Sequence, residues 1–412
     1  MKSVDSILKR QIISTLYFEK SLSIVELSET LGKSVPHITK SVNELIAEGV
    51  LTEGGQARSS GGRRPQVYIL TSQRMFIIAV AMDQLYTKVT ITDTAGNTIL
   101  AVESKELVLL NNDTAVQALV DLLNSAIARS GVDSQKIVGI GIGMPGFVNI
   151  KAGINYSYLV PENGETICAY LERELGIPVS IDNDSSVVAL AELKFGLAKH
   201  KGEVMVVNVG WGIGLGMIVG GKIFRGFSGY AGELSHIPIA DGEVLCECGK
   251  RGCLETEATL RVVTDKAKKD PRESTITGLK SESNPEKLSE AIMAAANKGD
   301  QFCVDLLSDM AYKLGKAIAI LIHIVNPQLV LLSGRGSAVG RILLAPIQQA
   351  LNRYCIPRLF EHTDVKYSLV GAKAELIGAG ALVMENFAEN SEMKIKKQID
   401  AMHQSKIAQL NG

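Results

Sequence analysis

Apolar residues recur at helical spacing in three successive N-terminal runs, and each run is bounded by residues that suit a helix end. Ile7, Leu8, Ile12, Leu16 and Tyr17 form one stripe and predict a first amphipathic helix. Ser23 then opens a Ser-x-x-Glu capping box with Glu26, and Ile24, Leu27 and Leu31 carry a short second helix that stops at Gly32. A third helix follows at once. Ser34 can cap it, Pro36 sits in its first turn where the missing amide does no harm, and Gly49 ends it. Along it Val35, Ile38, Val42, Leu45 and Ile46 fall on one side, leaving His37, Lys40, Ser41 and Glu44 on the other. Two short helices joined by a tight glycine turn predict a helix-turn-helix.

After the third helix, Val50–Thr52 and Gln66–Leu70 read as two strands around the loop EGGQARSSGGRRP, the wing of a winged helix. Between Gly54 and Arg74 lie Arg58, Arg63, Arg64 and Arg74 and no acidic residue. The third helix can enter a major groove with His37, Lys40 and Ser41 facing base edges, while Arg63 and Arg64 extend into a minor groove. The competing reading is a helical protein-interaction module with a solvated basic loop; the arginines in the wing favour DNA.

From Met75 the pattern changes to alternating strand and helix. Met75–Met82 and Lys88–Thr92 read as paired strands, Ala115–Arg129 as a helix, Ile137–Ile142 as a buried strand and Ile167–Leu175 as a helix. Val179–Ile181 is a short strand leading into Asp182, Asn183 and Asp184, with a helix over Ser186–Phe195 and a second α/β series from Val204. The expected architecture is a DNA-binding domain over 1–74, α/β lobes over 75–195 and 196–390 with a cleft between them, and a C-terminal helix over 391–412 packed on the body. The polar stretch Ser274–Pro285 reads as a surface loop.

With 412 residues, 46% hydrophobic content and a net charge of −1, the chain can build more than one core, and its DNA binding must be local rather than a general basic coat. MKSVDSILKRQ has no apolar signal core, and Ala317–Val325 is too short to span a bilayer, so a cytoplasmic protein is expected.

His236, Cys246, Cys248 and Cys253 place four soft or borderline ligands within eighteen residues, with Gly249 and Gly252 supplying turns between them. This spacing predicts one closed, structural zinc site. Cys168, Cys303 and Cys355 lack partners at ligand spacing and read as small core hydrophobes.

The segments DNDSSVVALAE, NVGWGIGLGMIVGGKIFRGFSGYAGELSH and CECGKRGCLE, in that order, resemble the ROK family of sugar kinases and sugar-responsive repressors. The added N-terminal winged helix resembles the repressor branch, the NagC/Mlc-like regulators of glucose, N-acetylglucosamine and xylose genes. The resemblance implies a two-lobed actin-like, hexokinase-like (ribonuclease H-like) body, a homodimer or homotetramer, and a sugar site at Gly146, Asn183, Asp184, Glu233, His236 and Glu255. Carboxylates and an amide suit a ring of hydroxyls on their own chemistry. In the kinases the carboxylate matching Asp184 is the base on the sugar hydroxyl.

The phosphate loops separate kinase from regulator. ROK kinases open the first lobe with a pattern like DxGGTK, and the matching stretch here is Asp83, Gln84, Leu85, Tyr86, Thr87, Lys88. A loop like GTGIG reads Gly210, Trp211, Gly212, Ile213, Gly214, and Arg335 stands near the expected adenosine position. Three departures point to a sugar-responsive repressor that is not an enzyme, binding operator DNA and a sugar or sugar phosphate. An ATP-dependent sugar kinase with an appended DNA-binding domain is the alternative.

Overall fold

The N-terminal module forms where the periodicity places it. In a computed structural model describing residues 7–56, 64–240, 242, 244–270, 272 and 281–388, helix α1 spans Ile7–Glu19, strand β1 Leu22–Ser23, α2 Ile24–Leu31 and α3 Val35–Ala47. Strands β2 (Leu51–Gln56) and β3 (Gln66–Leu70) complete a small sheet of order β1-β3-β2. Ile12, Ile13, Leu16, Leu27, Ile38, Val42 and Leu45 are buried to within 1% and form its core.

The capping box is made in both directions: Glu26 N–H donates to Ser23 Oγ (3.3 Å) and Ser23 N–H donates to Glu26 Oε2 (2.7 Å). Ser23→Ala should therefore lower the stability of this module by about 1 kcal/mol, measured as faster amide exchange along α2. Two expectations fail at the start of α3. Ser34 makes no side-chain capping bond, and Val35, placed on the apolar side by its spacing, is 45% exposed because the first turn projects beyond the core.

Strands β4 (Phe76–Met82), β5 (Tyr86–Asp93), β6 (Thr98–Glu106), β7 (Ile137–Met144) and β10 (Val179–Asn183) form a sheet of order β10-β7-β4-β5-β6; β8 (Val148–Asn149) and β9 (Ile154–Asn155) are short. Helices α4 (Ala115–Ser130) and α5 (Ile167–Leu175) belong to the same region. A second sheet, from β11 (Val204–Val209), β12 (Ile213–Val219), β13 (Lys222–Phe224), β14 (Leu329–Ser333) and β15 (Asp364–Tyr367), has the order β13-β12-β11-β14-β15. Counted from its own first strand, each sheet reads 3-2-1-4-5 across, which marks a duplicated architecture. In the second sheet β11, β12 and β13 are antiparallel while β14 and β15 run parallel to β11.

Chain contacts define two units: 1–142, 150–181 and 379–412 form one, and 143–149 with 182–378 the other. In the first, the winged helix is fastened to its neighbours. Ser14 Oγ donates to the Met384 carbonyl (2.9 Å), the Arg10 guanidinium lies 5.1 Å from the Phe387 ring centroid, and Arg74 donates to the Glu48 carbonyl (3.0 Å).

In the second, α6 (Asp184–Phe195), α7 (Leu260–Lys269), α8 (Pro285–Asn297), α9 (Gln301–Val325), α10 (Arg341–Tyr354) and α11 (Pro357–Phe360) surround the sheet, with α9 buried along most of its length. Cys303 and Cys355 are buried there, while Cys168 in the first unit is half-buried. The expected loop over Ser274–Pro285 lies mostly outside the described residues, and Pro285 is the first residue of α8. The expected helix over 391–412 lies outside them too.

Candidate metal centre and ligand site

Backbone pairing brings the four soft ligands together. Leu254 N–H donates to the Ile237 carbonyl (3.0 Å) and Ile239 N–H to the Gly252 carbonyl (2.9 Å), so these two segments run antiparallel with Pro238 opposite Cys253. A tight hairpin follows, closed by Cys246 N–H on the Lys250 carbonyl (2.8 Å) with Leu245 opposite Arg251. Gly252 has φ +76°, and a Cβ there would lie 2.3 Å from the Ala240 carbonyl oxygen, so a side chain would push the two segments apart.

The ligand atoms of His236, Cys246, Cys248 and Cys253 consequently all lie within 4.8 Å of one another, with His236 Nδ1 3.7 Å from Cys246 Sγ and Cys248 Sγ 3.6 Å from Cys253 Sγ. Burial pushes the Cys253 thiol up to about 12 and lowers the His236 pKa, whereas the Lys250 N–H beside Cys248 holds that thiol below its usual value. Such a cluster can hold a metal ion.

The other candidate residues gather around the first residues of β12. Asn183 caps α6, its Oδ1 accepting from Ser185 N–H (3.0 Å) and Ser186 N–H (3.4 Å), while its Nδ2 donates to the Gly146 carbonyl (3.2 Å). Asp184 is the first residue of α6, where the helix dipole favours a carboxylate, and it accepts from Ser185 N–H (2.7 Å).

α6 reaches β12 because Gly214 has no side chain: a Cβ there would lie 1.8 Å from Ser185 Oγ. Glu255 Oε2 accepts from Ile213 N–H (3.2 Å), and Gly232, next to Glu233, lies against the Leu215 carbonyl. Burial raises the Glu255 and Glu233 pKa values. Glu233 is nonetheless exposed, and its carboxyl has no hydrogen-bond or ion-pair partner among the described residues.

Two contacts beside these residues carry no sequence signal of their own. Arg225 donates Nε (3.2 Å) and Nη2 (2.5 Å) to Asp182 Oδ2, and the Phe147 and Tyr230 rings meet edge to face at 5.3 Å.

The stretches that depart from the kinase loop patterns make contacts of their own. Asp83 Oδ1 accepts from Leu85 N–H (2.8 Å) and Tyr86 N–H (2.7 Å), making the tight turn between β4 and β5. Arg335, after β14, is paired with Glu286 of α8 at 2.7 Å, and both are largely buried.

On α3, His37 and Lys40 are exposed and Ser41 is half-buried. Glu44 is drawn to Lys9 of α1 at 2.9 Å, and the same ammonium reaches Glu48 at 2.7 Å. Arg64 is exposed, while Arg58 and Arg63 lie outside the described residues.

The sequence model of the ROK family matches residues 77–386. The chain belongs to the ROK family. The ROK chain is 26% identical over 391 residues to the xylose repressor of Caldicellulosiruptor bescii, covering 94% of this chain and 96% of that protein. It is 32% identical over 282 residues to the glucokinase of Halalkalibacterium halodurans, covering 67% of this chain and 84% of that one. Among solved structures, a ROK family transcriptional regulator homologous to the E. coli MLC protein matches with TM-score 0.74 and 25% identity over 94% of this chain and 98% of that one. The ROK fold, a mixed α/β body with actin-like sheets behind an N-terminal helix-turn-helix region, is thus the fold expected. No described helix is long and apolar enough to cross a membrane.

Proposed function

We propose that this ROK protein is a sugar-responsive transcriptional repressor of carbohydrate uptake or catabolism genes, acting in the cytoplasm as a homodimer or homotetramer. The observation that carries this reading is the joint presence of a winged helix with exposed polar residues on α3 and a group of carboxylates and one amide around the start of α6 and β12 in the body. His37, Lys40 and Ser41 face base edges, with Arg63 and Arg64 on the minor groove. Asn183, Asp184, Glu233, His236, Glu255 and the Gly146 carbonyl bind sugar hydroxyls. The two ligands prefer different conformations of the chain, so sugar lowers operator affinity by the same factor as operator lowers sugar affinity.

Zinc fits the ligand cluster. Zn–S bonds of about 2.3 Å and Zn–N bonds of about 2.0–2.1 Å in a tetrahedron require ligand separations of roughly 3.6–3.8 Å; His236 Nδ1–Cys246 Sγ is 3.7 Å and Cys248 Sγ–Cys253 Sγ 3.6 Å, and all four ligand atoms lie within 4.8 Å of one another. Bound zinc supplies fixed charge and rigidity. His236 faces the cluster through Nδ1, which leaves Nε2 for a sugar hydroxyl.

A kinase is the second reading, because Asp184 stands at the start of α6 and a glucokinase is among the relatives. The Asp83 turn and the Arg335–Glu286 pair speak against it. With ATP and glucose, xylose or N-acetylglucosamine, no phosphorylation above an Asp184→Asn control is expected in a coupled assay. Clear turnover by the wild type would establish the kinase reading instead.

A further inference from the structure

We propose that Arg225 is a positioning residue for the sugar site, holding through Asp182 the strand end that presents Asn183 and Asp184 in register with the loop that presents Glu233. The inference rests on the sugar-site reading above and adds a residue that does not itself touch the sugar. Asp182, at the end of β10, is 2% exposed. Among its contacts, Oδ2 takes both donors of the Arg225 fork, and Oδ1 accepts the Asn183 N–H at 2.8 Å. The carboxylate therefore fixes the backbone of Asn183 on one side and Arg225 on the other.

Arg225 in turn begins the loop that ends at Glu233. Its carbonyl accepts the Ala231 N–H (3.1 Å), closing the loop on itself, and the Phe147–Tyr230 contact pins the far side. The Arg225–Asp182 pair is an ionic tie between this loop and the Asn183–Asp184 corner. Surface ion pairs contribute little because water competes for both partners, but a carboxylate buried like Asp182 gives up much of its hydration and depends on its partner.

Without the guanidinium, Asp182 loses the two-donor contact that holds its side chain, and the Asn183 N–H bonded to the same carboxylate shifts with it. Asn183 is sensitive to such a shift because its amide already spans the α6 cap and the Gly146 carbonyl. Lysine preserves the charge and loses the two-donor fork, so it restores the tie only in part.

Sugar binding can be followed by the fluorescence of the single tryptophan, Trp211, which precedes the Gly212 packed against Glu255. The wild type, Arg225→Ala, Arg225→Lys, Asp182→Asn and the Arg225→Ala/Asp182→Asn double variant are titrated with xylose, glucose and N-acetylglucosamine, and each is checked for zinc content and sugar-free operator affinity. For whichever sugar the wild type binds, Arg225→Ala is expected to weaken affinity by about thirtyfold, with Arg225→Lys intermediate. Asp182→Asn should weaken it comparably, and the double variant no further, as for two residues that act as one device.

Zinc content and sugar-free operator affinity should stay within about twofold of wild type. If Arg225→Ala does not fold, Arg225→Lys and Asp182→Asn carry the same comparison. Sugar affinity within twofold of wild type in the Arg225 variants, or losses that multiply in the double variant, overturns the proposal while leaving the sugar site standing. A wild type that binds none of the sugars, by fluorescence or thermal shift, overturns the sugar-site reading and the proposal with it.

Discussion

Cys253→Ser is expected to strip the metal from the purified protein and abolish its response to sugar. Cys253 is wholly buried, its sulfur lies 3.6 Å from Cys248 Sγ, and its backbone is bonded into the segment that carries Glu255. A structural zinc site contributes its binding free energy to the folded state, so losing one ligand destabilises the loops that the ion joins. His236 would lose its fixed orientation and Glu255 its anchored neighbour, so both sugar contacts go together.

A loss of about 3 kcal/mol in a body of this size lowers the thermal midpoint by roughly 5 °C. Metal analysis should fall from about one zinc per chain to a small fraction. Operator binding without sugar should change less, because the winged helix belongs to the other unit. A folded Cys253→Ser protein with undiminished zinc and sugar binding would contradict the metal's assigned role.

The second large effect is on DNA. Arg64→Ala should cost about 1–3 kcal/mol in operator binding and relax the preference for A·T pairs at the wing positions. Lys40→Ala should instead change base preference within the half-site core. Removing a side chain that neutralises one phosphate should also reduce the slope of log affinity against log salt by about 1. A neutralised wing that leaves affinity and its salt dependence unchanged would make the basic loop a solvated linker.

Periodicity and local turn chemistry made the N-terminal module and the metal cluster legible. The Ser23–Glu26 box, the Gly32 stop and the hairpin around Gly249 depend on residues a few positions apart, and all are present. What spacing could not show were contacts between distant segments. Lys9 draws Glu44 away from the polar side of α3, and Arg225 finds Asp182 from another element. Strand β6 was missed because it is exposed along most of its length and lacks the buried alternation that marks an inner strand.

Glycine in GWGIG also had more than one possible meaning. In the structure Gly214 admits α6 against the sheet, a packing role that is independent of nucleotide binding. The case against a nucleotide site therefore rests on Leu85, Tyr86, Trp211 and Arg335, the side chains that stand where small ones were expected, and not on the glycines that persist.

Titration of the wild-type protein against fluorescently labelled DNA carrying its own upstream operator, with and without xylose, glucose or N-acetylglucosamine, tests the central claim most directly. Anisotropy should show salt-sensitive, sequence-specific binding without sugar and an affinity at least tenfold weaker with the sugar that fits the site, a coupling of about 1.4 kcal/mol or more. Operator affinity that no sugar alters, in a protein that binds sugar, would contradict the account.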